Sequence, residues 1–251
     1  MNTTALSNRT ALVTGASKGI GARIATELAA AGAAVIVNYR SDESGADRVV
    51  KEITENGGRA VAVRADVGRS DEVKALFATA RETFGTVDVL VNNAAISEFA
   101  PLGAYTDEQY RRHTDTNFWG PMLTMQELIG QTDLGPASII NISTAGTTTL
   151  PPYASLYVAT KAALDAASVI AAKELGPRGI RVNTVAPSVS DTDGTRSSGF
   201  IGSPLADQAV AQIPLGRLGT PDDYGQVVVF LASDAARWIT GAHLHVSGGQ
   251  R

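Results

Sequence analysis

"LVTGASKGIG", residues 12–21, carries a β-branched run into a helical pattern through three glycines. Gly15, Gly19 and Gly21 fall where a tight strand-to-helix turn needs residues without side chains. The backbone can then approach a pyrophosphate at the N-terminus of the following helix, whose free N–H groups and dipole favour an anion. The spacing, Gly-x-x-x-Gly-x-Gly, is a variant of the common dinucleotide fingerprint, with Ser17, Lys18 and Ile20 as its other cofactor-facing positions. A glycine triplet alone suits many such turns. Its place after the first strand of a repeating β–α series gives it weight.

That series extends over most of the chain. "TALVT" (10–14), "AAVIVN" (33–38), "RAVAVR" (59–64), "VDVLVN" (87–92), "SIINIS" (138–143) and "IRVNTVAP" (180–187) read as strands, and "LHVSG" (244–248) closes the chain. They are almost continuously apolar, as strands covered on both faces should be. Helical patterns lie between them at 19–31, 43–56, 70–84, 106–131, 153–175 and 221–233. Repeated β–α–β units imply right-handed crossovers and one open, mainly parallel sheet. The expected fold is α/β, a doubly wound Rossmann domain of about seven strands spanning residues 1–251. Residues 188–214, rich in Ser, Gly, Asp and Thr, read as a mobile substrate loop with at most short helical pieces.

Composition narrows the function classes. Apolar residues make up 44% and charged residues 18%, a globular balance. A net charge of −4 without a basic stripe offers nothing to nucleic acid. With no cysteine there is no disulfide framework and no thiolate nucleophile. His113, His243 and His245 form no metal-ligand pattern, so no metal is expected; the last two alternate along the closing strand and read as structural. Trp119 and Trp238 read as packing or interface residues. "MNTTALSNR" at the start lacks an apolar signal core, and no apolar run suggests a membrane span. A cytoplasmic protein is expected.

The strand ends carry the ligand chemistry. In dinucleotide folds an acidic side chain after the second strand binds the adenosine ribose of NAD, and a basic one accommodates the NADP phosphate. Here the tip reads "VNYRSDE" (37–43), with Tyr39, Arg40 and Ser41 in place of the acid and Lys18 on the same side. Two cations and a hydroxyl favour NADP(H) over NAD(H). The competing reading makes Arg40 a solvated residue paired with Asp42 or Glu43. "RADV" (64–67) places Asp66 and Val67 at the next strand end, where Asp66 can accept from an adenine amino group. In "VNNAA" (91–95), Asn92, Asn93 and Ala94 are placed to line the ribose cleft and brace the central strands, although each alone also suits a helix cap or a turn.

"SLYVATKAAL" (155–164) sets Tyr157 and Lys161 four residues apart, on one face of a helix. A free phenol has a pKa of about 10, and a neighbouring ammonium favours the phenolate. Lys161 is therefore expected to lower the Tyr157 pKa and fit it for general acid–base work.

The glycine loop, "NNAA", "TNFWG" (116–120), "INIST" (140–144), "YVATK" (157–161) and "RVNTVAP" (181–187) occur in order. In this order and spacing the chain resembles the short-chain dehydrogenase/reductase family in its single-domain form, over nearly its whole length. The resemblance implies that Lys161 bonds the nicotinamide ribose beside Tyr157. It also implies that Asn117 holds a water linking Lys161 to solvent, and that a hydroxyl after the fifth strand polarises the substrate carbonyl. At that last position the family carries a second serine, whereas this chain reads Ser143-Thr144. Register and the common spacing from Tyr157 select Thr144, with Ser143 as the alternative. Ala95 replaces a glycine, Ser188 follows Pro187 where the family has another glycine, and Ser190 stands where an apolar residue contacts the nicotinamide. Thr192 matches a position that bonds the carboxamide or phosphates. The resemblance further implies a homo-oligomer, dimer or tetramer, packed through the helices at 106–131 and 153–175.

The function expected is reversible, NADPH-dependent reduction of a small-molecule ketone or aldehyde, with the proton from Tyr157. An NAD-linked alcohol dehydrogenase and a catalytically impaired cofactor sensor are the alternatives.

Overall fold

The computed structural model describes residues 5–250. Strand β1 (Thr10–Val13) leads into helix α1 (Gly19–Ala30), followed by β2 (Ala34–Tyr39), α2 (Glu43–Glu55), β3 (Arg59–Arg64), α3 (Ser70–Phe84) and β4 (Val89–Asn92). Then come α4 (Asp107–Thr114), α5 (Gly120–Ile129), β5 (Ala137–Ile142), the one-turn α6 (Gly146–Thr149), α7 (Ser155–Leu175) and β6 (Ile180–Pro187). Short helices α8 (Asp193–Ser197) and α9 (Pro204–Ala211), helix α10 (Asp222–Ala232) and β7 (His243–Val246) complete the order.

All seven strands run parallel in the order β3-β2-β1-β4-β5-β6-β7. Every residue of β1, β2, β4 and β5 is buried, which is why these strands read as unbroken apolar runs. Their side chains still alternate between faces. Val35, Val37, Val89, Val91 and Ile140 join one core with Ile24, Leu28, Val49 and Leu231. Leu12, Ile36, Leu90 and Ile139 join the other with Leu76, Phe77, Leu128 and Leu175. Helices α1, α2 and α10 thus cover one face, and α3, α5 and α7 the other. The chain reverses its direction of winding between β1 and β4, and the crevice beyond their C-terminal ends is the usual ligand site of such a sheet.

A buried polar chain locks that crevice to the core. Thr124 Oγ1 donates to Asn92 Oδ1 (2.6 Å), Asn92 Nδ2 to Asn141 Oδ1 (2.9 Å), and Asn141 Nδ2 to Ser168 Oγ (2.8 Å). All four side chains are buried, and each bond satisfies a group that would otherwise cost free energy unpaired. The expected bracing by Asn92 is this ladder.

Three elements depart from the sequence reading. The single helix expected over 106–131 is broken: α4 begins at a Thr106–Gln109 capping box, and residues 115–119 form a wider π turn before α5. Pro121 explains the break, since it has no N–H for the Asn117 carbonyl one turn back and its ring crowds that oxygen. The Gly120 N–H accordingly reaches Asp115 O, one residue further than in an α-helix. Residues 188–214 hold the short helical pieces expected, α8 and α9, and depart only in a bridge from Ser190 to Gly219. The last strand starts one residue earlier than expected, at His243.

Among the described residues one helix, Ser155–Arg178, is long and apolar enough to cross a membrane. It carries buried Lys161 and packs on β6, as the core helix of a globular fold does.

Candidate active site

A cleft of about 450 Å³ opens along the C-terminal ends of β1, β2, β3 and β4. The glycine loop forms its floor. Gly15 has φ +61°, and a Cβ there would stand 2.8 Å from Ala94 Cα. A Cβ on Gly21 would strike the Asn93 side chain and the Gly15 carbonyl. The strand end after β4 holds the loop in place. Thr14 Oγ1 accepts from the N–H groups of Asn93 (2.9 Å) and Ala94 (3.0 Å), and Asn93 Nδ2 donates to the carbonyls of Thr14 and Gly15. Helix α1 begins at Lys18 with no side-chain cap and no acidic residue in its first turn. Its N-terminal N–H groups face the cleft free to take an anion, which is what a pyrophosphate needs.

Of the residues expected to bind the dinucleotide, Gly15, Ser17, Lys18, Gly19, Ile20, Gly21, Tyr39, Arg40, Ser41, Asp66, Val67, Asn93, Ala94 and Thr192 line this cleft. Pro187 and Ser190 do not. The Pro187 carbonyl accepts from Ala145 N–H (2.7 Å), and the Ser190 side chain is turned inward. Ser190 Oγ lies 2.5 Å from the Tyr224 hydroxyl and donates to Ser188 O, so the nicotinamide contact expected of it has no side chain to make it. Tyr157 and Lys161 lie outside this cavity's lining, further along the crevice.

At the adenosine end, Lys18, Arg40 and Ser41 are all exposed. Arg40 pairs with neither Asp42 nor Glu43. Its guanidinium lies 3.9 Å from the Asp66 carboxylate, while Asp42 caps α2 through Gly45 N–H and Glu43 accepts from the Tyr39 hydroxyl. Asp66 Oδ1 accepts from Gly68 N–H (3.0 Å). Sequence reasoning passed over Asn38. Fully buried, it accepts from Gly15 N–H (3.3 Å) and donates to Ala65 O (3.1 Å), tying the glycine loop to β2 and to the end of β3. A polar residue inside an apolar strand was the available signal.

The Tyr157 ring is half-buried, and the Thr144 hydroxyl lies close enough to its phenol to pull its pKa down. Thr144 Oγ1 also accepts from Gly146 N–H (3.1 Å), which leaves its hydrogen to donate. Ser143 points elsewhere: its Oγ is buried and faces the Asp165 carboxylate without the geometry of a formed hydrogen bond. Strand alternation separates the two neighbours.

Lys161 is buried, and Nζ donates to the carbonyl of Ile142 at the end of β5 (2.7 Å). Burial lowers its pKa to about 8, against an opposing pull from Asp165. The expected effect on Tyr157 is reversed. Burial pushes the phenol up to about 12, the Thr144 hydroxyl pulls it back, and the Asp165 charge raises it; Lys161 is not among the groups that set it. Desolvation dominates, and the ammonium is committed to Ile142. At neutral pH the phenol therefore holds its proton.

Asn117 lies in the π turn, wholly buried. Its Oδ1 accepts from Ile96 N–H and its Nδ2 donates to Ile96 O, both at 2.9 Å, and to Thr160 Oγ1 (3.1 Å). The side chain is spent on clamping the loop after β4. His113 clamps it again: its Nε2 accepts from Glu98 N–H (3.2 Å) while Nδ1 donates to Gln109 O. Between these clamps and Ala100, whose N–H donates to Tyr153 O, the loop sets Phe99 edge-on against the Tyr157 ring, centroids 6.0 Å apart. Phe99, Leu102, Leu150 and Tyr153 expose large apolar surfaces in the loops around Tyr157. None of these four carries a sequence signal, because each looks like an ordinary loop residue.

A family profile described as Enoyl-(Acyl carrier protein) reductase matches residues 15–251. An uncharacterized oxidoreductase of Methylorubrum extorquens is 50% identical, over 98% of this chain and 99% of that protein. The 3-oxoacyl-[acyl-carrier-protein] reductase FabG of Staphylococcus epidermidis is 41% identical, over 96% and 98%. Among solved structures, a dehydrogenase/reductase from Sinorhizobium meliloti superposes with a TM-score of 0.94 at 37% identity, over 100% and 98% of the two chains. A short-chain dehydrogenase from Burkholderia cenocepacia in complex with NADP gives 0.92 at 34%, over 98% and 99%.

Proposed function

The chain is an oxidoreductase of the short-chain dehydrogenase/reductase family, and from that premise we propose that it reversibly reduces a ketone or aldehyde with NADPH. One observation carries the reading. A protonated phenol and a hydroxyl free to donate, Tyr157 and Thr144, stand together in a crevice that also holds a glycine cradle suited to a dinucleotide.

The residues present fit a dinucleotide. Gly15 and Gly21 let the loop fold tightly against Asn93 and Ala94, and α1 presents N-terminal N–H groups with no side-chain cap to a pyrophosphate. Lys18, Arg40 and Ser41 would meet a ribose phosphate, which favours NADP(H). When bound, the reduced nicotinamide supplies the hydride.

Thr144 and Tyr157 would together hold the carbonyl oxygen and stabilise the negative charge that develops there. Tyr157 then gives its proton to that oxygen. A phenol held near pKa 12 is a ready donor to an alkoxide, because at neutral pH it is always loaded. Lys161, as a buried cation, offsets the phenolate left behind. In the oxidative direction the same phenol must first lose its proton.

The apolar surround of Phe99, Leu102, Leu150 and Tyr153 suits an uncharged, hydrophobic carbonyl compound. Arg112, on α4, is neutralised by Glu98 in the loop after β4, at 3.0 Å. Exposed apolar side chains on α4, α5's approach and α7, namely Tyr110, Trp119, Val169 and Ile170, support a homo-oligomer, dimer or tetramer. A cytoplasmic location goes with this reading.

The Arg40–Asp66 pair supports a second reading, in which Arg40 is neutralised and NAD(H) serves. Loss of reduced-nicotinamide absorbance with a panel of ketones and aldehydes, run with NADPH and with NADH, tests both. Failure to oxidise either cofactor with any carbonyl would defeat the proposal.

A further inference from the structure

Asp165 is a buried acid that the mechanism above leaves unused. It stands one turn beyond Lys161 on the same face of α7. Its Oδ1 is shut off from solvent and forms no hydrogen bond, and its side chain is 15% exposed. A carboxylate so placed needs a positive partner or must give up its charge. Two basic groups face it. Lys161 does so from its own helix, and His243, at the start of β7, brings Nε2 to 3.8 Å from Oδ2. The hydroxyls of Ser143, from the end of β5, and Thr147, from α6, complete the surround. His245 stacks on the far side of His243, ring centroids 4.8 Å apart, and the charge of Asp165 also reaches Tyr157.

We propose that Asp165 is the counter-ion of Lys161, a positioning residue that keeps the ammonium charged beside Tyr157, with His243 and Ser143 lining the other side of its carboxylate. The proposal rests on the reading of Lys161 as a working part of the reductase site. Lys161 otherwise has one hydrogen bond to a neutral carbonyl and no solvent. In that setting an ammonium tends to lose its proton, and a neutral Lys161 could not offset a phenolate. Asp165 is the anionic group that opposes this loss. Evolution of negative charge at Asp165 has a cost, since the same charge raises the Tyr157 phenol. That cost falls on the oxidative direction and leaves proton donation unharmed.

Two measurements test it. The first needs no substrate. With 13C-labelled aspartate in the cofactor-free protein, the Asp165 carboxyl resonance is followed from neutral to alkaline pH. It should shift as Lys161 releases its proton near pH 8, and the step should vanish in Lys161→Met. A resonance that stays flat, or a step that persists in Lys161→Met, overturns the pairing. The second uses Asp165→Asn, which removes the charge at constant shape. The alkaline limb of kcat/KM should move to lower pH by about one unit, roughly a tenfold loss on that side, with rates below neutral pH changed far less. An unmoved limb in a folded variant also overturns the proposal. If Asp165→Asn does not fold, the resonance experiment decides. If no carbonyl is reduced at all, the reductase reading fails while the resonance experiment still judges the ion pair.

Discussion

Replacing Lys161 with methionine should make the protein's stability diverge from wild type with pH in a defined direction. Lys161 is 2% exposed, and burial holds its pKa at about 8 rather than 10.5. At 1.36 kcal/mol per pKa unit the difference is worth about 3 kcal/mol. In the unfolded chain the lysine keeps its proton up to about pH 10.4, whereas in the folded chain it gives it up near 8. Between those values the unfolded state binds more protons, so wild-type stability rises with pH there, and below pH 8 it carries the whole penalty. Lys161→Met has no such titration. The unpaired Ile142 carbonyl it leaves does not depend on pH and cancels from the slope. Wild type should therefore gain about 3 kcal/mol on the variant between neutral pH and pH above 10, or about 6–12 °C in Tm for a chain of this size. Urea unfolding of both proteins at a series of pH values measures it. Parallel curves would refute the reasoning, as would divergence of the opposite sign.

Arg40→Ala should weaken NADPH binding and leave NADH binding nearly unchanged, read by titration of each cofactor; an unaltered preference would remove Arg40 from phosphate recognition. Thr144→Val should cut kcat by roughly ten- to a thousandfold, as loss of one oxyanion donor does, while Thr144→Ser keeps activity. Steady-state kinetics with one good ketone decide between them, and a crippling Ser143→Ala beside a tolerated Thr144→Val would move the catalytic hydroxyl. Gly15→Ala places a Cβ 2.8 Å from Ala94 Cα at φ +61° and should cost more than about 1 kcal/mol of stability. Thermal unfolding and NADPH titration should both register it.

What the sequence disclosed and what it withheld divide along a physical line. The parallel sheet was legible because buried strands need unbroken apolar runs, and "AVIVNY" or "ASIINI" can hardly be anything else. The glycine cradle was legible because a missing side chain is itself the signal. What escaped were balances between opposing effects. Tyr157 and Lys161 do share a helix face, yet desolvation raises the phenol and the ammonium turns to the Ile142 carbonyl instead. Pro121 sat in plain view inside the expected helix 106–131, but the π turn it enforces depends on how that turn packs. Ser190 was assigned to the cofactor by its position in the chain, and Tyr224, thirty-four residues on, claims its hydroxyl. His243 and His245 read as structural alternates of a strand; only the fold brings His243 to Asp165. Contacts between residues distant in sequence leave no local pattern to read.

The account stands or falls on proton donation by Tyr157, and Tyr157→Phe tests it most directly. The substitution removes one hydroxyl and leaves the ring packed edge-on against Phe99. Turnover of the best ketone substrate with NADPH should fall by about 10²–10⁴-fold, the usual contribution of a positioned acid, with the dissociation constant for NADPH unchanged. A Tyr157→Phe enzyme that turns over at the wild-type rate would contradict it.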